Sequence, residues 1–324
     1  MSLSVSRFFA AATALAAATL LTSCIPVGPD FLHPAPPEVS RYTQEPLTRQ
    51  TSSTDAPNGA AQLFVQGRDI PQEWWRLFRS PGLNALIERS LQANPNLQAA
   101  MFALGAAQES VYAQEGKFFP FIQANFNPTR QKTSASLSPF TSTSALFFNL
   151  YTAQVLVSYT IDVWGLNWRT VESLQAQADM QRFEVEAAYL TLTSNVVVAA
   201  ITEASLRGQI DATNELISIN TKMLDIMRRQ LEAGYANRSD VAAQEAALAQ
   251  VRATLPPLRK ALAQTRDLLA ALAGGYPSEE PRETFNLSAL QLPVDLPVSL
   301  PSQLIEQRPD VRAADEMLHA ASAQ

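Results

Sequence analysis

The sequence predicts a mainly helical fold that is built on one long antiparallel helical hairpin and carries a pair of membrane β-strands. Three observations predict it. Apolar residues recur every seven positions along two long segments, a glycine-containing turn separates those segments, and two other runs alternate apolar with polar residues. A seven-residue repeat holds helices side by side, whereas alternation is typical of a strand whose two faces meet different surroundings.

The helical hairpin is predicted from segments 166–232 and 239–273. The apolar seam of the first segment contains Leu206, Ile210, Ile217, Leu224, Met227 and Leu231, and that of the second contains Val241, Leu248, Val251, Leu255, Leu258, Leu262, Leu269 and Leu272. Roughly 65 helical residues at 1.5 Å each reach on the order of 100 Å. Such a rod suits a protein that bridges a wide gap better than it suits a compact enzyme domain.

The turn between the two helices is predicted at 233–240. Gly234 is expected to cap the first helix, because glycine accepts the left-handed backbone conformation that ends many helices. Asn237 or Ser239 is expected to cap the second helix, since both side chains can accept a hydrogen bond from a free backbone N–H.

Composition excludes several classes of protein. The 324 residues carry a net charge of −6 without a basic run, which argues against a nucleic-acid partner. One cysteine and two histidines exclude a disulfide framework and argue against a metal site, and we expect no cofactor. No stretch after the N-terminus reaches the roughly 18 apolar residues of a spanning helix. We therefore expect any membrane span to consist of strands.

Residues 1–23 have the composition of a secretory signal peptide, with Arg7 followed by an apolar run. The only cysteine of the chain, Cys24, stands where cleavage is expected. The sequence 21–24 resembles a bacterial lipoprotein signal, which predicts that Cys24 carries the acyl chains of a lipid anchor, although an incidental cysteine is the alternative. Ile25, in place of an aspartate, favours the outer membrane in proteins of that kind.

Segment 24–82 is rich in proline, which fixes the backbone and removes hydrogen-bond donors. We expect an extended N-terminal strap that runs over a surface and is not a folded domain. Trp74, Trp75 and Phe78 are expected to anchor this strap by packing.

The two alternating runs predict β-strands at 119–131 and 145–162. Tyr151, Val155, Val157 and Tyr159 share the apolar face of the second strand and are predicted to face the membrane, and aromatic rings mark its ends. A half-buried strand of a soluble sheet explains this run equally well. Two strands cannot span a membrane alone, because only a closed barrel satisfies every backbone group.

An internal repeat organises the rest of the chain. Residues 95–100 (PNLQAA) recur as 309–314 (PDVRAA), so that 83–300 forms a first structural repeat and 301–324 opens a second. Pro95 and Asn94 suit the first turn and the cap of a helix. We expect that the second copy is truncated and that this chain alone, with two strands, cannot form a pore.

Taken together, these stretches resemble the outer membrane factor (TolC-like) family, in particular the lipoprotein branch that serves resistance-nodulation-division efflux pumps. The stretches that carry the resemblance are 27–31 after Cys24, Trp74-Trp75 with Phe78, 83–100, 161–165 with Arg169 and Glu172, Gly234 with 239–241, and 304–314. They cover the chain from residue 24 onwards.

The resemblance implies a homotrimer that forms an outer membrane β-barrel and an α-helical barrel extending into the periplasm. Asp162, Trp164 and Gly165 would form the corner where strand turns into helix. The hairpin tip would dock a periplasmic adaptor protein that links the channel to an inner membrane pump. The tip residues are Gly234, Tyr235, Asn237, Arg238, Ser239 and Asp240.

The function implied is a passive exit duct for drugs or other small toxic compounds. Two alternatives remain: an outer membrane duct for protein secretion, and a lipid-anchored periplasmic adaptor, which also contains a helical hairpin. An enzyme is disfavoured, because the sequence has no phosphate loop, nucleophile motif or metal-ligand spacing. Asp162, Glu172 and Asp240 are interpreted as corner and cap residues.

Overall fold

The computed structural model describes residues 26–35, 43–55, 58–132, 147–279, 281–299 and 301–324, without the side chains of 301–303. Helices make up 61% of the described residues, which agrees with the predicted mainly helical fold. The chain divides into two compact units. The first contains the described parts of Met1–His33, Gly105–Asp179 and Glu316–Gln324, and the second contains those of Pro34–Leu104 and Met180–Asp315.

The helices, strands and short 3-10 turns occur in the following order along the chain. They are β1 (Leu63–Gln66), a 3-10 turn (Trp74–Phe78), α1 (Pro81–Ala93), α2 (Pro95–Glu115), a 3-10 turn (Gly116–Phe118), β2 (Phe121–Lys132), β3 (Phe147–Ser158), α3 (Leu166–Glu232), α4 (Arg238–Leu272), a 3-10 turn (Leu287–Ala289), β4 (Asp295–Val298), α5 (Pro301–Gln307) and α6 (Pro309–Ser322).

The predicted strand and helix ends need correction. Strand β2 begins at Phe121 and not at 119, because the chain first makes a 3-10 turn that ends at Phe118. Strand β3 ends at Ser158 and not at 162, while residues 145 and 146 lie outside the described residues. Helix α4 begins at Arg238, one residue earlier than predicted, because Asn237 serves as its cap.

The core of the second unit forms where α1 packs against the middle of α3 and the end of α4. Its fully buried side chains include Trp75, Leu83, Leu86, Ile87, Val196 and Leu269. Trp74 and Phe78 pack against the same cluster. The prediction that these aromatic residues anchor the N-terminal strap is confirmed.

The strap is more ordered than expected. Strand β1 pairs in parallel with β4, so that Leu63 lies opposite Asp295. The Asn58 side chain also donates to the backbone oxygens of Leu287 and Leu290, at 3.2 and 2.8 Å. The strap thus includes a paired strand that was not predicted from the sequence.

Helix α3 also bears on the expectation that no segment after the N-terminus is apolar enough to form a membrane-spanning helix. One 18-residue window within it has a mean hydropathy of 1.4, so by length and composition α3 could cross a membrane. The core helix of a soluble domain passes the same test. Because α3 supplies Leu192, Val196, Val197 and Ala200 to the core of the second unit, we interpret its apolar stretch as packing surface.

The start of α2 follows the sequence prediction. Pro95 occupies the first helical position, and Asn94 Oδ1 accepts hydrogen bonds from the backbone N–H of Asn96 at 3.0 Å and of Leu97 at 3.2 Å. The Asn94 amide also donates to the Leu272 carbonyl at 3.1 Å. This cap therefore ties the start of α2 to the end of α4.

Candidate functional site

Strands β2 and β3 form an antiparallel hairpin with twelve residues in each strand. Residues that lie directly opposite in such a pair share one face of the sheet. The positions opposite Tyr151, Val155 and Val157 are Pro128, Ala124 and Ile122. The partner strand therefore completes the apolar face that was predicted from β3 alone.

The second face of the hairpin is mixed. Near its middle, Gln154 lies opposite Asn125 and Thr152 lies opposite Asn127, but Leu156 interrupts the polar row. The hairpin thus has one face that is apolar from Ile122 and Val157 to Pro128 and Tyr151, beyond which Arg130 lies opposite Asn149. The other face has a polar centre, and the two faces together suit a membrane strand pair beside a polar lumen.

Neither face of the hairpin is covered within the described residues. Every residue of β3 is exposed, and in β2 only Thr129 is partly buried. Val155 is 70% exposed, and Tyr151, Val157 and Tyr159 are similarly open. A half-buried soluble sheet needs a core against its apolar face, and the described chain supplies none here.

The corner between β3 and α3 contains Asp162, Trp164 and Gly165. Asp162 Oδ2 accepts hydrogen bonds from the backbone N–H of Asn167 at 2.9 Å and of Trp168 at 3.2 Å, and so satisfies free donors at the start of α3. Gly165 has φ +77°, which favours glycine. Gly165 is buried, whereas the neighbouring Trp164 ring is exposed.

A cluster of charged side chains lies one helical turn beyond this corner. Arg169 Nη1 donates to Glu172 Oε2 at 2.7 Å, and the His319 ring lies 3.3 Å from Glu172 Oε1. Burial raises the pKa of Glu172, but the hydrogen bonds from Arg169 and His319 outweigh that effect and lower the pKa below its usual range. The sequence analysis named Arg169 and Glu172 together but did not predict their ion pair or the contact with His319.

The hairpin tip is closed by two local motifs. Gly234, with φ +76°, ends α3: its N–H donates to the Leu231 carbonyl at 3.1 Å, and the Tyr235 N–H donates to the Gln230 carbonyl at 2.8 Å. These two bonds form a Schellman motif. The prediction that Gly234 caps this helix is confirmed.

The start of α4 has a capping box. Asn237 Oδ1 accepts from the Asp240 N–H at 2.9 Å, and Asp240 Oδ2 accepts from the Asn237 N–H at 3.2 Å. The Ser239 hydroxyl adds a bond of 2.6 Å to Asn237 Oδ1. Of the two caps left open by the sequence, the structure selects Asn237.

The tip presents several exposed side chains, including Ser239, whose hydroxyl is already bonded to Asn237. Tyr235 is 86% exposed, and Arg238 and Ser239 are also exposed. Beneath them the predicted seam is present, with Leu224, Val241 and Leu248 buried and Ile217 and Leu231 packed around them. The tip is therefore a well-supported end with an open surface.

The lipid anchor and a metal centre are the remaining candidate sites. Cys24 lies outside the described residues, so its lipidation stays a prediction. Among the residues that the structure does describe, no group of three or more His, Cys, Asp or Glu side chains is placed to hold a metal ion.

Sequence comparison identifies the family of the chain. The profile of the outer membrane efflux protein family matches residues 86–275, which contain α2, the strand hairpin, α3 and α4. This chain belongs to the outer membrane efflux protein family. It is a family of channels, and the membership places the chain among outer membrane proteins.

Relatives in the outer membrane efflux protein family agree with this assignment. The chain is 30% identical over 302 residues to the toluene efflux pump outer membrane protein TtgC of Pseudomonas putida, a match of 91% of this chain and 58% of that protein. It is 28% identical over 261 residues to the pyoverdine export outer membrane protein OpmQ of Pseudomonas putida, covering 78% of this chain and 54% of that protein. The chain thus spans less than two thirds of the length of these relatives.

A solved structure of the family supports the fold. The outer-membrane channel OprN superimposes with a TM-score of 0.74 at 23% identity, over 92% of this chain and 62% of that one. The mainly helical fold with a membrane-type strand hairpin, predicted as TolC-like, is confirmed by this likeness.

Proposed function

We propose that this chain is a subunit of an outer membrane channel through which a tripartite efflux pump expels small toxic compounds. The observation that carries the proposal is the uncovered strand hairpin, joined through a capped corner to a helix of 67 residues. A lipid-facing strand pair and a long helical hairpin in one chain suit a duct that crosses the membrane and continues beyond it. The chain performs no chemistry in this proposal.

The strand pair forms part of a barrel wall in this proposal. Its apolar face, with Tyr151, Val155 and Val157, meets outer membrane lipid, as does Tyr159 just beyond the strand end, and its polar centre faces the lumen. Both edges of the hairpin have free backbone groups that need partners inside a membrane. The two strands of one chain do not close a barrel by themselves, so further strands in the assembled homotrimer supply those partners.

The N-terminal part anchors the subunit. Acyl chains on Cys24 hold the mature chain in the outer membrane, and the apolar run that precedes this cysteine supports the assignment. In the proposed division, 1–23 is the signal peptide, 24–82 the strap, 83–300 the first repeat and 301–324 the start of the second.

The hairpin tip docks a periplasmic adaptor protein, which connects the channel to an inner membrane pump. The exposed side chains of Tyr235, Arg238 and Ser239 provide the contact surface, while Gly234, Asn237 and Asp240 hold its backbone. Cysteine cross-linking from Tyr235→Cys should capture the adaptor. Capture only from positions far along α3, such as Asp211→Cys, would contradict this assignment.

The proposal as a whole is tested by drug accumulation. Bacteria that lack the gene should accumulate a fluorescent efflux substrate, and the complete gene should restore low accumulation. A gene with Val155→Arg should fail to restore it. Equal accumulation in cells with and without the gene, under expression of the matching pump, would contradict the proposal.

The proposed substrates are small organic compounds. This class follows from the relatives, which are named for toluene efflux and pyoverdine export. The adaptor and secretion alternatives are less favoured, because the matching family profile is that of efflux channels.

A further inference from the structure

The segment that follows Cys24 lies directly on the corner between β3 and α3. The Val27 N–H donates to the Trp164 carbonyl at 3.2 Å. A Cβ atom on Gly165 would lie 2.6 Å from Pro26 Cα, so only glycine permits this close approach. The backbone and the ring of Pro26 are thus fitted closely to the corner.

Arg169 holds this segment through hydrogen bonds from two of its three guanidinium nitrogens. Nε donates to the Val27 carbonyl at 3.3 Å, and Nη2 donates to the Gly28 carbonyl at 2.9 Å and to Asp30 Oδ1 at 3.2 Å. Nη1 donates to Glu172, which fixes the planar group from the helix side. The Arg169 side chain is 15% exposed, whereas Asp30 is 94% exposed. The two carbonyl contacts therefore matter more than the ion pair with Asp30, since exposed ion pairs contribute little.

We propose that Arg169 is a positioning residue that clamps residues 26–28 onto the strand-to-helix corner, so that the lipid anchor and the membrane strands enter the bilayer at the same level. The proposal rests on the lipidation of Cys24 that is part of the proposed function. A chain of two residues spans at most about 7 Å, so acyl chains on Cys24 enter the membrane close to Pro26.

The side chains around the clamp fit a membrane boundary. Trp164, Trp168 and Tyr159 are exposed at this corner. Aromatic residues of this kind concentrate where a barrel meets the lipid headgroups. The clamp therefore brings a covalent anchor and an aromatic belt to one plane. Anchoring at a fixed site also raises the effective concentration of the strands at the membrane, which promotes their insertion.

The first experiment tests the clamp without reference to lipidation. Val27→Cys and Trp164→Cys are introduced into a chain with Cys24→Ala, so that they are its only thiols, and disulfide formation is measured under mild oxidation. Arg169→Gln should reduce the yield about tenfold, the equivalent of one lost charge-assisted hydrogen bond. The matched control, Arg228→Gln, removes an arginine that pairs with Glu245 near the tip and should leave the yield unchanged. An unchanged yield with Arg169→Gln would overturn the clamp.

A conservative variant covers the case in which Arg169→Gln prevents folding. Arg169→Lys keeps the charge beside Glu172 but cannot donate to two carbonyls and a carboxylate at once. It should also lower the disulfide yield, whereas Asp30→Asn should have little effect. A full yield with Arg169→Lys would show that charge alone, and not the clamp, holds the segment.

The second experiment tests the link to the anchor with the complete gene in cells. The amount of channel assembled in the outer membrane is measured for Arg169→Gln, Cys24→Ala and the double variant. If the clamp positions the anchor, Arg169→Gln lowers assembly in the lipidated chain and adds nothing in the Cys24→Ala chain. Additive losses would show a purely structural role for Arg169 and overturn the positioning role.

Fatty-acid labelling of the same strains separates the two hypotheses. Label that is present in the parent and absent in Cys24→Ala supports the anchor. Absence of label in the parent would contradict the lipidation of Cys24, and with it the positioning role, while the disulfide result would still decide whether the clamp exists.

Discussion

The two ends of the helical hairpin close with the same backbone motif but in opposite surroundings. At the tip, Gly234 ends α3 with φ +76°, and at the other end Gly274 ends α4 with φ +77°. Near Gly274, as at the tip, successive N–H groups bond back into the last turn of the helix, from Gly275 to Ala270 and from Gly274 to Ala271. Both ends are therefore Schellman motifs.

The surroundings of the two glycines differ completely. A Cβ atom on Gly234 would meet nothing within 4 Å, whereas one on Gly274 would lie 2.4 Å from the Ala93 carbonyl oxygen. Next to Gly274 the chain joins the main core of the second unit through Leu269. The local motif ends a helix in both places, but only the second glycine is closely packed, and only that end joins the main core of the second unit. This difference separates an end that anchors the hairpin from an end that is free to bind.

The largest expected effect comes from the aromatic residue of the packed end. Trp75 is 2% exposed, and Trp75→Ala should lower the free energy of unfolding by about 3–5 kcal/mol, because it empties a well-packed site. Tyr235→Ala at the tip should leave that free energy nearly unchanged. Chemical unfolding of the purified protein measures both, and equal losses would contradict the distinction between the two ends.

The two glycines provide a closer comparison. Gly274→Ala adds a clash with backbone to the strain of a positive φ and should cost about 2–4 kcal/mol. Gly234→Ala adds strain alone and should cost about 1 kcal/mol. Thermal unfolding of the two variants side by side checks the order, and a greater loss from Gly234→Ala would reverse our interpretation.

The tip cap should have a smaller and more local effect. Asn237→Ala removes the side chain that satisfies the start of α4 and should cost about 1 kcal/mol. Hydrogen exchange should accelerate at the first amides of α4 and stay unchanged near Leu269. Faster exchange at both ends would indicate that the tip and the core unfold together.

The smallest expected effect is a dependence of the folding stability on pH, which comes from Glu283 at the packed end. Burial raises the pKa of Glu283, but its hydrogen bonds and charge attraction with Arg89 outweigh burial and lower the pKa below the usual range. A lowered pKa in the folded chain stabilises it above the unfolded pKa of about 4.3, and this contribution is lost as the pH falls further. Glu283→Gln should therefore lose less stability than the parent between neutral pH and pH about 3. A parallel decline in both would contradict this role.

Sequence reasoning succeeded where a pattern is local. Three predicted features depend only on residues that are close together in the sequence, and the structure has all three. They are the heptad seam around Leu224, the glycine cap at Gly234 and the alternation of β3. The corner role of Asp162 came from the family resemblance, and its hydrogen bonds in the structure reach only five and six residues ahead.

Contacts between distant segments escaped prediction. Strand β4 contains a proline, a weak signal for a strand, and its partner β1 lies more than two hundred residues earlier in the chain. Glu203 is fully buried on α3 and accepts hydrogen bonds from Arg207 and, across the hairpin, from Arg266 at 2.8 Å. A charged residue in a helical pattern is normally assigned to the surface, so no sequence rule indicated that Glu203 is buried with these two arginines as partners.

The central claim, that this chain contributes a lipid-facing strand pair to an outer membrane channel, is tested most directly by two neighbouring arginine substitutions. In the complete gene product, Val155→Arg places a charge on the apolar face and should cost about 2–4 kcal/mol near the bilayer midplane. Gln154→Arg places the same charge on the other face and should be tolerated. The amount of channel assembled in the outer membrane should therefore fall with Val155→Arg and stay near the parent level with Gln154→Arg. Equal assembly of the two variants would contradict the claim.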